Sequence, residues 1–226
     1  MNVSIVLPCY NEEATIACTV ADVAAWMERE HIGGEIIVVD DGSRDSTPSV
    51  LAGLSGGHPA LRVVRHERNQ GYGIAVRSGC DAAREEVIAF MDSDGQFHAE
   101  DIGRLLPHLQ RYAFVTGRRR RRADPPLRGL LGKLLGILTW ITFGLWVRDV
   151  NCGLKAFRRS LWPDIRPEHG VEKLFNTEMF LRLKRRNIPW MQVDVPHYPR
   201  LAGTPTGAKF SVIVRMFREL WALRRA

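Results

Sequence analysis

Five short runs of β-branched and aliphatic residues, at positions 3–7, 35–39, 61–64, 87–91 and 113–116, punctuate the first half of the chain, with segments of helical spacing between them. Such alternation predicts an α/β fold built on a mostly parallel sheet flanked by helices. Asn11, Glu12 and Glu13 read as a helix start, and Ile16, Val20, Val23 and Met27 as its buried stripe. Further along, 177–186 reads as a helix, 190–195 as a strand, and 209–225 as a basic amphipathic helix carrying Val212, Ile213, Met216, Phe217, Leu220 and Trp221. With 226 residues, 45% of them hydrophobic, the chain is long enough for a core of its own and too apolar for a disordered tail. No internal repeat or linker interrupts it. One domain over 1–207 is expected, with 208–226 as its C-terminal helix.

In an open parallel sheet, ligands bind beyond the carboxyl ends of the strands. Four of the runs end in polar clusters: Pro8 to Glu12, Asp40 to Ser43, His66 to Gly73, and Asp92 to Gln96. Each alone is also what a turn requires; together they predict one crevice. A bend at Ser93 and Gly95 would aim Asp92 and Asp94 at one point, where two carboxylates need a cation. Hard oxygen ligands select Mg²⁺ or Mn²⁺, and the amide of Gln96 adds another oxygen. Asp41 would accept hydrogen bonds from a base or sugar, with Pro8 and Tyr10 as an apolar wall, which describes a nucleotide pocket. Val76 stands where a dinucleotide fingerprint needs its third glycine, and no GxxxxGK[ST] loop occurs, so NAD enzymes and ordinary ATPases lose ground.

The charge balance is +7, with arginines concentrated at 118–122 and near the C-terminus, which implies an anionic partner. Four scattered cysteines without a CxxC pair fit neither a disulfide framework nor a zinc site and suit a reducing compartment. The chain opens on a strand rather than a basic-then-apolar leader, so a cytoplasmic location is expected. Residues 130–147 are apolar apart from Lys133 and are broken by Gly132, Gly136 and Gly144. They are expected to form a pair of interfacial helices, a membrane span or a core helix being the alternatives.

Four segments carry a resemblance: Ser-Ile-Val-Leu-Pro-Cys-Tyr-Asn-Glu-Glu at 4–13, Val-Val-Asp-Asp-Gly-Ser-Arg-Asp at 38–45, Asn-Gln-Gly-Tyr-Gly at 69–73 and Met-Asp-Ser-Asp-Gly-Gln at 91–96. In this order they resemble family 2 glycosyltransferases, and within them the dolichyl- or polyprenyl-phosphate mannose synthase branch. The resemblance runs from Asn2 to about Gly207 and implies a GT-A fold, a nucleotide-sugar donor and a divalent metal. Carried over by position, it makes Pro8, Tyr10, Glu12, Val39 and Asp41 nucleoside contacts, sets Asp92, Asp94 and Gln96 around the metal, and puts Ser93 beside the diphosphate. Arg119, in Gly117-Arg118-Arg119, matches the family's phosphate-binding arginine. Arg128 matches a second one, and with Lys133 is expected at the acceptor phosphate. The segment 149–157 is similar to the family's Asp-x-x-Ser-Gly-Phe-Arg, with Cys152 in place of Ser or Thr. Arg200 matches the arginine that reaches the donor phosphates, and Gly132 replaces a serine.

The resemblance implies an inverting, metal-dependent transfer of a sugar, expected to be mannose from GDP-mannose, to a polyprenyl or dolichyl phosphate. Charge developing on the departing diphosphate would be stabilised by the metal, Arg119 and Arg200. A lipid phosphate is already an anionic nucleophile; a hydroxyl acceptor needs a base, for which Asp149 is the candidate. Transfer from a UDP-sugar to a hydroxyl of a glycan or metabolite is the competing enzyme reading. A nucleotidyltransferase lacks its glycine-rich loop here, and a nucleic-acid-binding protein leaves the acidic crevice unexplained. The arginine run, the 130–147 stretch and the last helix together describe a surface for the cytoplasmic face of an anionic membrane, with a separate membrane protein as a further expected partner. Glu178 is read either as lining the acceptor side or as a surface or helix-start carboxylate, and His98 and His197 as ordinary polar residues.

Overall fold

The computed structural model describes residues 1–120, 136–137, 139–170 and 174–200. Seven strands, β1 (Asn2–Cys9), β2 (Gly33–Asp40), β3 (Leu61–Arg65), β4 (Val87–Met91), β5 (Phe114–Arg119), β6 (Leu154–Arg158) and β7 (Trp190–Val195), form one sheet in the order β3-β2-β1-β4-β6-β5-β7. The first four in that row are mutually parallel, β5 and β7 are parallel to each other, and β6 runs antiparallel between β4 and β5. The helices are α1 (Ile16–Arg29), α2 (Thr47–Leu54), α3 (Tyr72–Ala82), α4 (Ala99–Leu105), α5 (Trp162–Ile165) and α6 (Leu174–Arg185).

Successive side chains of a strand point to opposite faces, so a strand buried on both sides feeds two cores. Val3, Ile5 and Leu7 of β1 pack in one cluster with Ile16, Val20, Val23 and Met27 of α1 and Ile102 of α4. Val6 joins the other, with Ala75 and Val76 of α3 and Phe175 and Met179 of α6. At Gly79 of α3 a Cβ would lie 2.2 Å from Val6 Cγ1, so glycine is what lets this helix lie close on the sheet.

The expected α/β sheet is present, and the runs at 87–91 and 190–195 are strands with those bounds. Two points differ. α1 begins at Ile16 because Asn11, Glu12 and Glu13 are bonded to the loop after β2: the amides of Asn11, Glu12 and Glu13 donate to Ser43 Oγ, Thr47 Oγ1 and Asp45 Oδ2. β6 was not anticipated, because Lys155 interrupts its apolar pattern. That lysine is nevertheless wholly buried, its ammonium donating to the Cys152 carbonyl at 2.5 Å and lying 5.3 Å from the centre of the Phe90 ring. Residues 139–143 are helical, and Ile137, Trp140, Ile141 and Trp146 are exposed. Arg128, Gly132, Lys133, the helix expected at 209–225 and the boundary at 207/208 lie outside the described residues.

Candidate active site

The loops at the carboxyl ends of β1, β2, β3 and β4 are laced into one rim. Ser93 Oγ donates to the Pro8 carbonyl at 2.8 Å, and Thr19 Oγ1 donates to the Ser93 carbonyl at 3.2 Å. Asp41 is enclosed: Oδ1 lies 2.7 Å from His66 Nδ1 and accepts from the Gln70 amide at 3.0 Å, while Oδ2 accepts from the Gly71 amide at 2.8 Å. The carboxylate thus draws the loop after β3 onto the loop after β2. Gly71, at φ 103, then sets the start of α3.

Asp92 and Asp94 lie in the middle of this rim. The Asp92 amide donates to the Gly153 carbonyl, and the carboxylate rests on Gly153 itself, where a Cβ would come within 2.0–2.4 Å of the carboxylate atoms. Burial, reinforced by the charge of Asp94, pushes the Asp92 carboxyl up to about 7. Its Oδ1 is enclosed without a hydrogen-bond partner. Asp94 instead meets Arg200, Nη2 to Oδ2 at 2.5 Å, and the same guanidinium reaches Glu12 Oε1 at 3.5 Å. Gln96 donates its side-chain amide to the Tyr198 carbonyl at 3.3 Å, which leaves the amide oxygen as the end able to take a ligand.

A second ion pair lies near enough for Asp92 to feel the charge of its arginine. Arg119 Nε and Nη2 meet Asp149 Oδ2 and Oδ1 at 2.8 and 2.7 Å, and the Arg119 amide adds a third bond at 3.0 Å. Their side chains are 7% and 8% exposed, so this is a buried, fork-shaped pair.

Among the described residues no three His, Cys, Asp or Glu side chains form a cluster able to hold a metal. What the rim offers is two carboxylates and one amide oxygen. An all-oxygen, incomplete set of this kind suits a hard divalent cation that completes its shell with water and ligand phosphates. The unpartnered Asp92 oxygen is consistent with that fit.

Residues 4–166 match the family described as Glycosyl transferase family 2. The chain belongs to that family. Among its curated relatives, a dolichyl-phosphate beta-glucosyltransferase of Trichomonas vaginalis is 29% identical over 84% of this chain and 62% of its own length. A dodecaprenyl-phosphate galacturonate synthase of Rhizobium johnstonii is 35% identical over 71% of this chain and 49% of its own. The chain therefore spans less than two thirds of the length of either relative, and about half of the second. Glucosyl-3-phosphoglycerate synthase of Mycobacterium tuberculosis, solved with Mn²⁺, UDP and phosphoglyceric acid, superposes with a TM-score of 0.70 at 25% identity, covering 97% of this chain and 78% of its own. Mannosyl-3-phosphoglycerate synthase of Rubrobacter xylanophilus, at 19% identity and a TM-score of 0.76, covers 100% of this chain and 74% of its own and shares the fold. The fold is the GT-A type expected for family 2.

Seen against the family pattern, Pro8, Tyr10, Glu12, Asp41, Ser93, Asp94, Gln96 and Arg200 sit together on the rim, but several are already engaged. The Ser93 hydroxyl is bound to Pro8, and Glu12 accepts from Thr15 Oγ1 at 2.9 Å, its carboxyl raised by burial. Val39 is wholly enclosed and packs against Gly79, so its side chain does not reach the crevice. Asp149, the candidate base, and Arg119, the expected phosphate ligand, are engaged with each other, the carboxylate held by both arms of the guanidinium. Glu178 is buried and does not line an open acceptor pocket. It accepts from the amides of Glu168, His169 and Gly170 at 2.8–2.9 Å and pairs with Arg182. Burial alone would raise its carboxyl; those donors hold it below the usual range. His98 caps α4 and His197 packs edge-on against Phe97, as ordinary polar residues would. The sequence reading passed over Tyr72, Gly153 and Lys155. The signal available for the last two was a glycine and a basic residue in the segment after Asp149.

Proposed function

We propose that this family 2 protein transfers a sugar, with inversion, from a nucleoside-diphosphate donor to a polyprenyl phosphate. The observation that carries the reading is the state of Asp149. A carboxylate held by a bidentate guanidinium and a backbone amide is stabilised in its charged form and is a poor acceptor of protons. A hydroxyl acceptor would call for a base, whereas a phosphate monoester is already ionised near neutrality. The relatives named for dolichyl- and dodecaprenyl-phosphate chemistry support the same choice.

Asp92, Asp94 and Gln96 would hold Mg²⁺ or Mn²⁺, which supplies positive charge to the departing diphosphate. Arg200, when it leaves Asp94, has the length and charge to bind the donor phosphates. Pro8 and Tyr10 would flank the base. The Arg119–Asp149 pair shapes the opposite wall and presents a fixed dipole toward the reacting centre. For the donor, the named relatives favour a glucose- or uronate-type sugar over the mannose first expected, and the likeness to a structure holding UDP favours uridine over guanosine.

No helix among the described residues is long and apolar enough to cross a membrane. Exposed Ile137, Trp140, Ile141 and Trp146, beside the basic Arg148, suit peripheral contact with the interface of an anionic bilayer, where tryptophan is favoured. A second reading, transfer from a UDP-sugar to a hydroxyl, draws on the neighbour solved with phosphoglyceric acid. Incubation with a panel of nucleotide sugars and Mg²⁺ or Mn²⁺ separates the two. Release of nucleoside diphosphate that depends on added polyprenyl phosphate is the expected result; release driven equally well by phosphoglyceric acid or free sugars would replace it with the second reading.

A further inference from the structure

Lys155 is wholly buried, yet the crevice chemistry described above makes no use of it. It stands on β6 between Phe90 of β4 and Thr116 of β5, and its side chain turns back toward the residues just before its own strand. The ammonium donates to the Cys152 carbonyl at 2.5 Å and lies 3.5 Å from the Val150 carbonyl. The rings of Phe90 and Phe180 cover it, their centres 5.3 and 5.8 Å away. Among the described residues its hydrogen bonds go to no carboxylate. Burial brings its pKa down to about 8, the charges of Asp149 and Asp92 opposing the fall.

Filling space does not account for a charge at this place. A methionine of similar length would pack between the same rings without losing a hydration shell, and exchanging buried charged groups for apolar ones is often neutral or stabilising. What an apolar side chain cannot do is donate. Cys152 is itself wholly buried, and a carbonyl closed off from water is costly to leave unpaired. An ammonium on a four-carbon stem brings three donors to it, and the two aromatic faces stabilise the cation where it sits.

The carbonyls held in this way belong to the turn 149–153, which serves two groups of the site. At one end Asp149 holds both arms of Arg119. At the other, the Gly153 carbonyl accepts from the Asp92 amide at 3.2 Å, and Gly153 is the seat on which the Asp92 carboxylate rests. Between them the Cys152 amide donates to the Asp149 carbonyl at 3.2 Å, so the residue that Lys155 grips is bonded in turn to the start of the turn. We propose that Lys155 is a positioning residue for the transfer: its ammonium ties down the turn 149–153 from the core side and so keeps Asp92 and Arg119 in the geometry the transition state requires. The inference rests on the transferase reading above and deepens it, because it assigns part of the rate to a residue closed off from donor and acceptor alike.

The test measures release of nucleoside diphosphate by the full chain at saturating Mn²⁺ and polyprenyl phosphate, with whichever nucleotide sugar of the panel the native protein uses, beside a denaturant titration of each variant. Lys155→Met should lower kcat about a hundredfold, the scale of a small displacement of reacting groups, and keep KM for the nucleotide sugar within about threefold. Its unfolding midpoint should be no lower than the native one, since a buried charge has been removed. Lys155→Arg, which keeps a cation with several donors and stacks on aromatic rings, should recover kcat to within about tenfold of native. Should Lys155→Met fail to fold, Lys155→Gln, a single amide without charge, takes its place in the comparison. A folded variant with kcat within about threefold of native, a loss carried by KM, or a Lys155→Arg no more active than Lys155→Met would overturn the role of Lys155 and leave the transferase reading standing. Failure of both uncharged variants to fold would overturn it as well, making the lysine a residue of stability alone. A native protein that releases no nucleoside diphosphate from any sugar of the panel would overturn this inference together with the function on which it rests.

Discussion

The Arg119–Asp149 and Arg200–Asp94 pairs contribute to the same crevice and are built on different terms. The first has two side-chain bonds and a backbone bond, and both its partners are nearly closed to solvent. The second is one short contact from an arginine that is 24% exposed and shared with Glu12. A buried fork cannot be released without stranding a charge, whereas a partly solvated guanidinium can exchange its carboxylate for another anion at small cost. The first pair is therefore wall and the second is a placeholder, a cation resting on the carboxylate that a metal would take.

The largest effect should come from the placeholder's acid. Asp94→Ala should lower turnover by about a thousandfold or more, the scale set by removing electrostatic stabilisation of a leaving group, while thermal unfolding stays at or above the native midpoint. Loss of activity together with loss of fold would erase the distinction between the pairs. Next comes the wall. Arg119→Met deprives buried Asp149 of its fork and should cost roughly 3–5 kcal/mol in denaturant titration, and Arg200→Met, which removes a single contact from a partly solvated guanidinium, should cost clearly less. Similar costs for the two would break the comparison. Gly153→Ala should come third. Its Cβ would overlap the Asp92 carboxylate, so the acid must shift; turnover should fall about a hundredfold, with roughly 1–3 kcal/mol of overpacking visible in the same titration.

These residues also show where reading the sequence stops. The strands at 87–91 and 190–195, the stripe of α1 and the four polar strand ends are local patterns of period and composition, and they lie where the sequence places them. The pairing of Asp149 with Arg119 was not legible because the partner is 30 residues away, on β5, in a part of the sheet where β6 is inserted antiparallel between β4 and β5. The same insertion accounts for Lys155: a cation in an apolar run argues against a strand until one sees the Cys152 carbonyl that accepts from it. Tyr72 was passed over because glycines drew attention to its segment, and nothing in spacing reveals that its phenol is held well above its ordinary pKa by burial and by the charge of Asp92 at another strand end.

The smallest expected effect is also the one that tests the placeholder most directly, through pH. Burial and Asp94 hold the Asp92 carboxyl at about 7, above its ordinary 3.8, so between those values the folded protein keeps a proton that the unfolded chain has released. The sign follows from linkage: the contribution of this group to the stability of the ligand-free protein is present at low pH and is lost as pH rises through 7. Cation binding has the opposite dependence, because Mn²⁺ must displace that proton. Affinity for Mn²⁺, measured by electron paramagnetic resonance, should rise by up to about tenfold per pH unit below 7 and level off above it, the slope of one proton released per ion bound. Asp92→Asn should bind more weakly with a nearly flat profile. Arg200→Met should keep the slope and bind Mn²⁺ more tightly at every pH, since no guanidinium then competes for Asp94. If Arg200→Met instead bound the ion more weakly, Arg200 would be part of the cation site's support, and the two ion pairs would be walls alike.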